Sequence, residues 1–224
     1  RRASSGYHDT SMNGEFASAS AIRKAIAQED LSESVEAQLP KASFQILKDA
    51  FKTCPPLTMD AFSAALLYRL LTLSRQELAS FQDVSPDLAA RMENNRFRFT
   101  CCSAFADLLK TKELTHSRIT RALCHILLDL HQTDLDSLKA NHWPVYLRTL
   151  GFRKSAAPLL NTIKQKSASP LLVKAADAQS VLTPVQYALF EKDVLAAHIY
   201  ESARVCQYGT DFIHEYTRTP VILP

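Results

Sequence analysis

Glycine is scarce in this sequence. It occurs at four of 224 positions, Gly6, Gly14, Gly151 and Gly209, whereas average usage is about 7%. Phosphate-binding loops, dinucleotide-binding fingerprints and tightly turned β-sandwiches all depend on glycine, because it adopts backbone conformations that are closed to other residues. Four scattered copies cannot build any of these structures. A glycine-poor chain that is rich in Ala, Leu and Ser is instead typical of a helical protein.

Long apolar runs and paired cysteines are also missing. The longest apolar runs are only a few residues, whereas a span across a bilayer needs roughly 20, so we predict no contact with a membrane. Five cysteines occur without a CxxC pair, which predicts free or buried thiols in a reducing compartment, and we expect a cytoplasmic location. We expect no metal site. Zinc bound by Cys124 with His125 or His131 stays an alternative, although the usual paired spacing is missing.

Motifs that mark a self-contained enzyme are absent from the sequence. No HExxH, GxSxG, GxxxxGK[ST] or DFG-like string occurs, and no two carboxylates stand in a pattern that predicts acid–base chemistry. His198 stands in an apolar helical pattern, so we interpret it as a satisfied core or surface histidine rather than as a base. We therefore predict no catalytic residue within this chain.

Helical periodicity dominates residues 18–143, where Ser and Thr precede successive apolar-periodic segments at positions typical of helix N-caps. After that region, short β-branched strings alternate with helical ones. We predict a mainly α fold, in which a polar connector over residues 1–17 leads to a helical bundle over 18–143 and then to a small α+β unit over 144–224. The predicted caps are Ser18 or Ser20, Ser74 with Glu77, Ser85, Thr100 and Thr115.

The α+β prediction depends on two strings, VYLRTLGF and PLLVKA, which we interpret as strands separated by a helix. A long helix fits the later string TPVQYALFEKDVLAAHIYESARV. Three cations flank Gly151 in the string YLRTLGFRK: Arg148, Arg153 and Lys154. They either extend a basic surface or are ordinary exposed charges.

Positive charge is concentrated in one part of the chain. Residues 96–166 hold 12 Lys or Arg against 5 Asp or Glu, a local charge of +7, whereas the remaining residues sum to −4. Arg118 and Arg121 stand three apart on one predicted helix face. Lys110 and Lys112 lie just before the N-terminus of that helix, where main-chain N–H groups also favour anions. These four residues are candidates for contact with a nucleic-acid phosphate backbone, and a solvated helix face is the alternative.

The string FASASAIRKAI, residues 16–26, places small hydroxyl residues and an arginine at a predicted helix start. A helix N-terminus has several N–H groups that can meet an anion. Arg23 follows within about one turn and can add a bidentate guanidinium contact to a phosphate. A serine-capped amphipathic helix with an exposed arginine is the alternative interpretation.

Five strings occur in a fixed order: GYHDT (6–10), ASASAIRKAI (17–26), KTKELTHSRITRALCHILL (110–128), YLRTLGF (146–152) and AAHIY (196–200). Together they resemble a known family, the bacterial tRNA(Met) cytidine acetate ligases of the HIGH nucleotidyltransferase superfamily. The resemblance extends over nearly the whole chain and matches the C-terminal portion of such enzymes. The SASAIRK string and the KTK…SRITRAL block, in this order, make it fairly specific.

The resemblance implies a concrete activity. Such ligases activate acetate with ATP, with magnesium a possible companion ion, and pass the acetyl group from acetyl-adenylate to N4 of the wobble cytidine of elongator tRNA(Met). By the same resemblance, Arg23 contacts the ATP phosphates, with Ser18 and Ser20 as helix-start donors. Ser20 stands where the family commonly has Thr, which keeps the hydroxyl group. The helical remainder is then expected to bind tRNA.

One departure from the family pattern leads to a further expectation. No HIGH-like motif occurs in these residues, and the first residue is not Met. We therefore expect a piece of the enzyme that lacks the N-terminal α/β nucleotidyltransferase domain and that is inactive alone. Two alternatives stay open: a related nucleotidyltransferase that acts on another small acid, and a helical protein-interaction module whose basic face meets an acidic partner.

Overall fold

The computed structural model describes residues 17–28, 31–140 and 145–224. Contacts between residues group the chain into two compact units, which divide between Thr58 and Met59. The GYHDT string and the remainder of residues 1–16 lie outside the described residues. The division into 1–17, 18–143 and 144–224 stays a prediction, and the compact units divide elsewhere.

The described residues of the first unit contain three helices around a small apolar cluster. Ser18 begins the first helix, as the sequence predicts, because its hydroxyl oxygen accepts a hydrogen bond from the Ala21 N–H at 3.0 Å. In the cluster, Ala25, Val35 and Phe44 are buried. The helices are α1 (Ala19–Ala27), α2 (Glu33–Glu36) and α3 (Lys41–Phe51).

The second unit begins with helices that share the largest apolar core of the described residues. The predicted apolar face of the string HSRITRALCHIL lies in this core, since Ile119, Leu123 and Ile126 are fully buried. A 3₁₀ turn, Met59–Phe62, precedes the helices. The helices are α4 (Ser63–Thr72), α5 (Arg75–Leu78), α6 (Pro86–Asn95), α7 (Cys102–Leu109), α8 (His116–Leu127) and α9 (Gln132–Ala140).

Local capping signals explain where three of these helices begin. Ser74 and Glu77 form the predicted capping box at α5, in which each side chain accepts a hydrogen bond from the other residue's backbone N–H. Ser85 caps α6, and Pro86 occupies the first turn of that helix. Thr115 caps α8. These three predictions are confirmed. They could be made from the sequence because the partners of each cap lie within three residues.

The prediction that Thr100 caps a helix is wrong. Helix α7 begins at Cys102, and its first N–H groups meet side chains from about 40 positions earlier in the sequence. Ser63 Oγ accepts the Cys102 N–H at 3.0 Å, and Asp60 Oδ1 accepts the Ser103 N–H at 2.7 Å. Burial alone would raise the pKa of Asp60, but its hydrogen bonds from Ser103 hold the pKa below the usual value.

Two short parallel sheets follow, each of two strands. Leu147 pairs with Leu171 in one sheet, and Gly151 pairs with Val221 in the other. Gly151 is required by this close approach, because an added Cβ would lie 2.8 Å from the Val221 carbonyl oxygen. The elements are β1 (Leu147–Arg148), β2 (Gly151–Arg153), α10 (Ala157–Lys166), β3 (Leu171–Leu172), α11 (Ala178–Val181), α12 (Pro184–Tyr208) and β4 (Val221–Leu223).

The longest described helix, α12, connects the two cores of the second unit. It begins with a capping box between Thr183 and Gln186 and ends at Gly209, whose φ of +63° favours glycine. Phe190 is fully buried in the core beside the sheets, and Ile199 packs against the core of α4–α8. None of the described helices is long and apolar enough to cross a membrane.

Candidate functional site

The N-terminal half of α1 brings two of its three candidate residues together. Arg23 Nη2 lies 3.4 Å from Ser20 Oγ and donates to it, and the arginine is exposed. Ser18 has a different role, since its side-chain oxygen caps the helix. Ala21 and Ala25 are buried on another face. A guanidinium and a hydroxyl thus stand at the positive end of a helix, an arrangement suited to binding an anion.

A groove between α6 and α8 contains two of the four candidate RNA contacts. Its volume is about 750 Å³, and Lys112 and Arg118 line it. The turn before α8 positions Lys112, because the Thr111 N–H donates to the Leu114 carbonyl oxygen and Thr111 Oγ1 accepts the Leu114 N–H. Both cations are exposed.

Arg91 is a third cation of this groove, and the sequence patterns did not indicate it. It lies on α6, and its Nε donates to the Leu109 carbonyl oxygen at 3.2 Å, which fixes the side chain against α7. Two carboxylates, Asp87 and Glu113, also line the groove. Arg91 lies outside the basic window of 96–166, so only the packing of α6 beside α7 and α8 could have identified it.

The other two candidates stand apart from the groove. Lys110 is exposed and does not line it. Arg121 pairs with Asp83, whose Oδ2 lies 2.6 Å from Nε. The same carboxylate lies 3.6 Å from His125 Nδ1. Arg121 is therefore partly neutralised by its own chain, although its side chain is 60% exposed.

A contrasting set of cations is paired with buried carboxylates near α12. Glu201 is 1% exposed and accepts from Arg204 at 2.7 Å and from Arg218 at 2.5 Å. Glu215 is also buried and pairs with Arg148 and with Arg218. Arg148, which the sequence left open as part of a basic surface, is therefore held within its own chain.

Charge pairing sets the protonation of Glu201. Burial alone would raise its pKa, but hydrogen bonds from Arg204 and from the Ile213 N–H, with the charges of Arg204 and Arg218, hold the pKa below its usual value. Close by, His198 Nε2 accepts the Glu215 N–H at 3.2 Å. His198 thus has a structural partner and needs no catalytic role to explain it.

The thiols and histidines do not form a metal centre in the part of the chain that the structure describes. No group of three or more His, Cys, Asp or Glu side chains there could hold a metal ion. Cys124 Sγ instead lies 3.6 Å from Met59 Sδ. Burial raises the pKa of the Cys124 thiol, which favours the neutral form in an apolar setting.

The fold is that of a nucleotidyl transferase. The chain belongs to the HIGH Nucleotidyl Transferase family, whose model matches residues 1–211. Curated relatives carry the name tRNA(Met) cytidine acetate ligase, which confirms the resemblance that the sequence indicates. The relative from Thermoanaerobacter sp. (strain X514) is 34% identical over 96% of this chain and 52% of its own length. The relative from Halothermothrix orenii is 31% identical over 89% of this chain and 48% of its own.

The chain spans about half the length of the curated relatives that it matches. Among solved structures it is similar to Thermotoga maritima TmcAL in its apo form I, with a TM-score of 0.86, 22% identity, and coverage of 99% of this chain and 54% of that one. TmcAL bound with alpha-thio ATP gives a TM-score of 0.82 at 21% identity, over 94% and 53% of the two chains. At these identities the likeness shows the shared fold.

The expected fold class, with the nucleotidyltransferase domain absent, is wrong. The nucleotidyl transferase family model covers residues 1–211, and the TmcAL fold matches 99% of the chain. The expectation depended on missing glycines and a missing HIGH-like motif. Glycine is needed where a loop backbone approaches a phosphate closely, but a helix N-terminus offers N–H donors without it. A shortage of glycine therefore does not exclude this family.

Proposed function

We propose that this chain contacts tRNA and the phosphates of ATP in a tRNA(Met) cytidine acetate ligase. The observation that carries the proposal is the groove in which exposed Lys112 and Arg118 stand with Arg91. In a family whose relatives are named for a tRNA substrate, three cations around one concave surface favour a phosphate backbone as the ligand. Asp87 and Glu113 repel phosphates from part of the groove surface and thereby limit the orientations in which the RNA backbone can enter.

The start of α1 is the proposed contact with ATP. Arg23 and Ser20 stand together there, and the first N–H groups of the helix point toward the same end. Support comes from the fold shared with TmcAL, a protein that has been crystallised with alpha-thio ATP. We assign no residue to magnesium.

The proposed reaction has two balanced steps. A carboxylate oxygen of acetate attacks the α-phosphorus of ATP, which forms acetyl-adenylate and releases pyrophosphate. The N4 amine of the wobble cytidine of elongator tRNA(Met) then attacks the acetyl carbonyl, loses a proton and releases AMP. In this scheme Arg23 orients phosphate oxygens and stabilises their charge, and the groove between α6 and α8 binds the tRNA backbone.

A gel-shift titration of the 224-residue chain with an elongator tRNA(Met) transcript tests the RNA part. We expect binding that weakens as salt rises. The double variant Lys112→Glu/Arg118→Glu should bind at least about tenfold more weakly and show a shallower salt dependence. Lys164→Glu is the matched control, because Lys164 is an exposed lysine outside the groove.

Absence of a shift at low salt, or a shift that the double variant leaves unchanged, would contradict the RNA proposal.

The ATP contact is tested by calorimetric titration with ATP. Arg23→Ala should abolish the binding that the neighbouring control Lys24→Ala retains, and equal binding by both variants would contradict the assignment.

Deletion of the gene tests the reaction itself, with tRNA nucleosides analysed by mass spectrometry. Loss of N4-acetylcytidine from tRNA(Met) supports the proposal. Persistence of that nucleoside together with loss of another modified nucleoside would favour a relative that acts on a different small acid. Persistence of every modified nucleoside would favour a role as an interaction module.

A further inference from the structure

Phe97 is the most exposed large apolar side chain of the described residues, with 80% of it accessible. It lies in the 3₁₀ turn Arg96–Arg98, directly after α6. Burying a phenylalanine side chain is worth about 1.5–3 kcal/mol, so a ring this accessible can contribute to binding a partner.

The turn that carries Phe97 is held in place by Arg96. Its Nη1 donates to the carbonyl oxygens of Leu70 and Leu73, each at 3.4 Å, near the end of α4. The same guanidinium lies 5.3 Å from the centroid of the Phe97 ring. A cation anchored in the protein therefore stands at one side of the ring, while most of the ring surface stays open to solvent.

The surroundings of Phe97 specify an anionic partner with a flat apolar part. Arg96 and Arg98 flank the ring and begin the basic window of residues 96–166, whose charge is +7. Arg98 is exposed, with Nη1 donating to Asn95 Oδ1 at 3.2 Å. Unpaired nucleotides combine a negative phosphate with a base that stacks on aromatic rings, whereas bases inside a duplex are already stacked.

We infer that Phe97 is a stacking site for an unpaired base of the bound RNA. The inference rests on the proposed tRNA contact and adds a second point of attachment to it. Helix α6 links the two points: Arg91 of the groove and Phe97 are six positions apart, about 9 Å along a helix axis. Six positions also turn a helix by about 240°, so the two side chains project from different sides and make separate contacts with the RNA.

Fluorescence anisotropy with a 12-nucleotide single-stranded RNA and a duplex RNA of equal length tests the inference. Phe97→Ala should weaken binding of the single strand by about tenfold, within the range that loss of one stacking contact gives. Its salt dependence should stay unchanged, because no charge is lost. Binding of the duplex should change less than about twofold.

Two substitutions separate stacking from general apolar contact. Phe97→Trp should retain or strengthen binding of the single strand, whereas Phe97→Leu should behave like Phe97→Ala. Tyr68→Ala is the matched control, since Tyr68 is an aromatic residue of α4 that is 67% exposed. Phe97 is so exposed that none of its substitutions should lower the free energy of unfolding by more than about 0.5 kcal/mol.

The outcomes distinguish this inference from the proposed function. If the unmodified chain binds neither RNA at low salt, both are overturned. If Lys112→Glu/Arg118→Glu weakens binding but Phe97→Ala does not, the phosphate groove stands and the stacking site is overturned. Equal losses for single-stranded and duplex RNA would also overturn the stacking site, because a paired base has no free face to offer.

Discussion

The groove beside α8 and the charge network beside α12 use the same residue types for opposite purposes. In the groove, Lys112 and Arg118 are exposed at the surface. In the network, Arg204 and Arg218 meet the buried carboxylate of Glu201. The position of acidic side chains decides whether a cation can bind a ligand or forms an ion pair within the fold.

The largest effect is expected from breaking the network. Glu201→Ala should lower the free energy of unfolding by about 3 kcal/mol or more, because Arg204 and Arg218 lose a partner that is buried. Urea denaturation followed by circular dichroism measures this. Glu113→Ala, at an exposed carboxylate of the groove, is the control and should change stability by less than about 0.5 kcal/mol. Equal effects of the two substitutions would refute the distinction between the regions.

The second-largest effect is expected from acid, which should weaken the ion pairs of Glu201. The pKa of Glu201 lies below its usual value in the folded chain, so its ionised form stabilises the fold at a pH above the unfolded pKa of about 4.3. That contribution is lost as the pH falls through the lower folded pKa. Stability measured from pH 6 to pH 3 should therefore fall more steeply for the natural chain than for Glu201→Gln. Parallel curves would show that this carboxylate does not supply the dependence.

Arg118 and Arg121 allow a closer comparison within one helix. Arg118→Glu should weaken tRNA binding by about tenfold, since it removes a phosphate contact and adds a repelling charge. Arg121→Glu should weaken it by only about twofold, because Asp83 already neutralises that guanidinium. Gel-shift titrations at one fixed salt concentration provide the measurement. A larger loss at Arg121 would place the RNA on a different face of α8.

The smallest effect concerns the stability of that partly exposed pair. Arg121→Ala should lower the free energy of unfolding by at most about 1 kcal/mol, since an ion pair near the surface is screened by water. Thermal denaturation measures it, with Arg118→Ala as a control, because Arg118 forms no ion pair with the described residues. A loss that approaches that of Glu201→Ala would mean that the pair with Asp83 belongs with the buried network.

Short-range features of the fold could be predicted from the sequence, and long-range ones could not. The capping boxes of Ser74 and Thr183 need partners three residues away, so the local string determines them. The start of α7 depends on Asp60 and Ser63, which lie some 40 residues upstream and accept hydrogen bonds from its first N–H groups. The local sequence indicates Thr100 as the cap instead, because these distant acceptors leave no local signal. The same limit applies to Arg91, which reaches the groove only through helix packing.

The residue types of the candidate site could be predicted from the sequence, but the ion pairs that its cations form could not. Helical spacing correctly placed Arg118 and Arg121 on α8, yet it could not show that Asp83 holds one of them. The exposed ring of Phe97 had no sequence signal, because its exposure follows from the turn that Arg96 anchors. The assignments to ATP and to tRNA stay predictions that the experiments above decide.

The pairing at Gly151 has a consequence for the order of folding. It joins residues 70 positions apart, Gly151 and Val221, in a ladder of only three residue pairs. Closing so large a loop lowers the chain entropy before the few hydrogen bonds of the ladder can offset that loss. Strand β4 should therefore dock last, after α10 and α12 have brought the ends close together. Refolding followed by hydrogen exchange should show the amides of residues 221–223 acquiring protection later than those of α8.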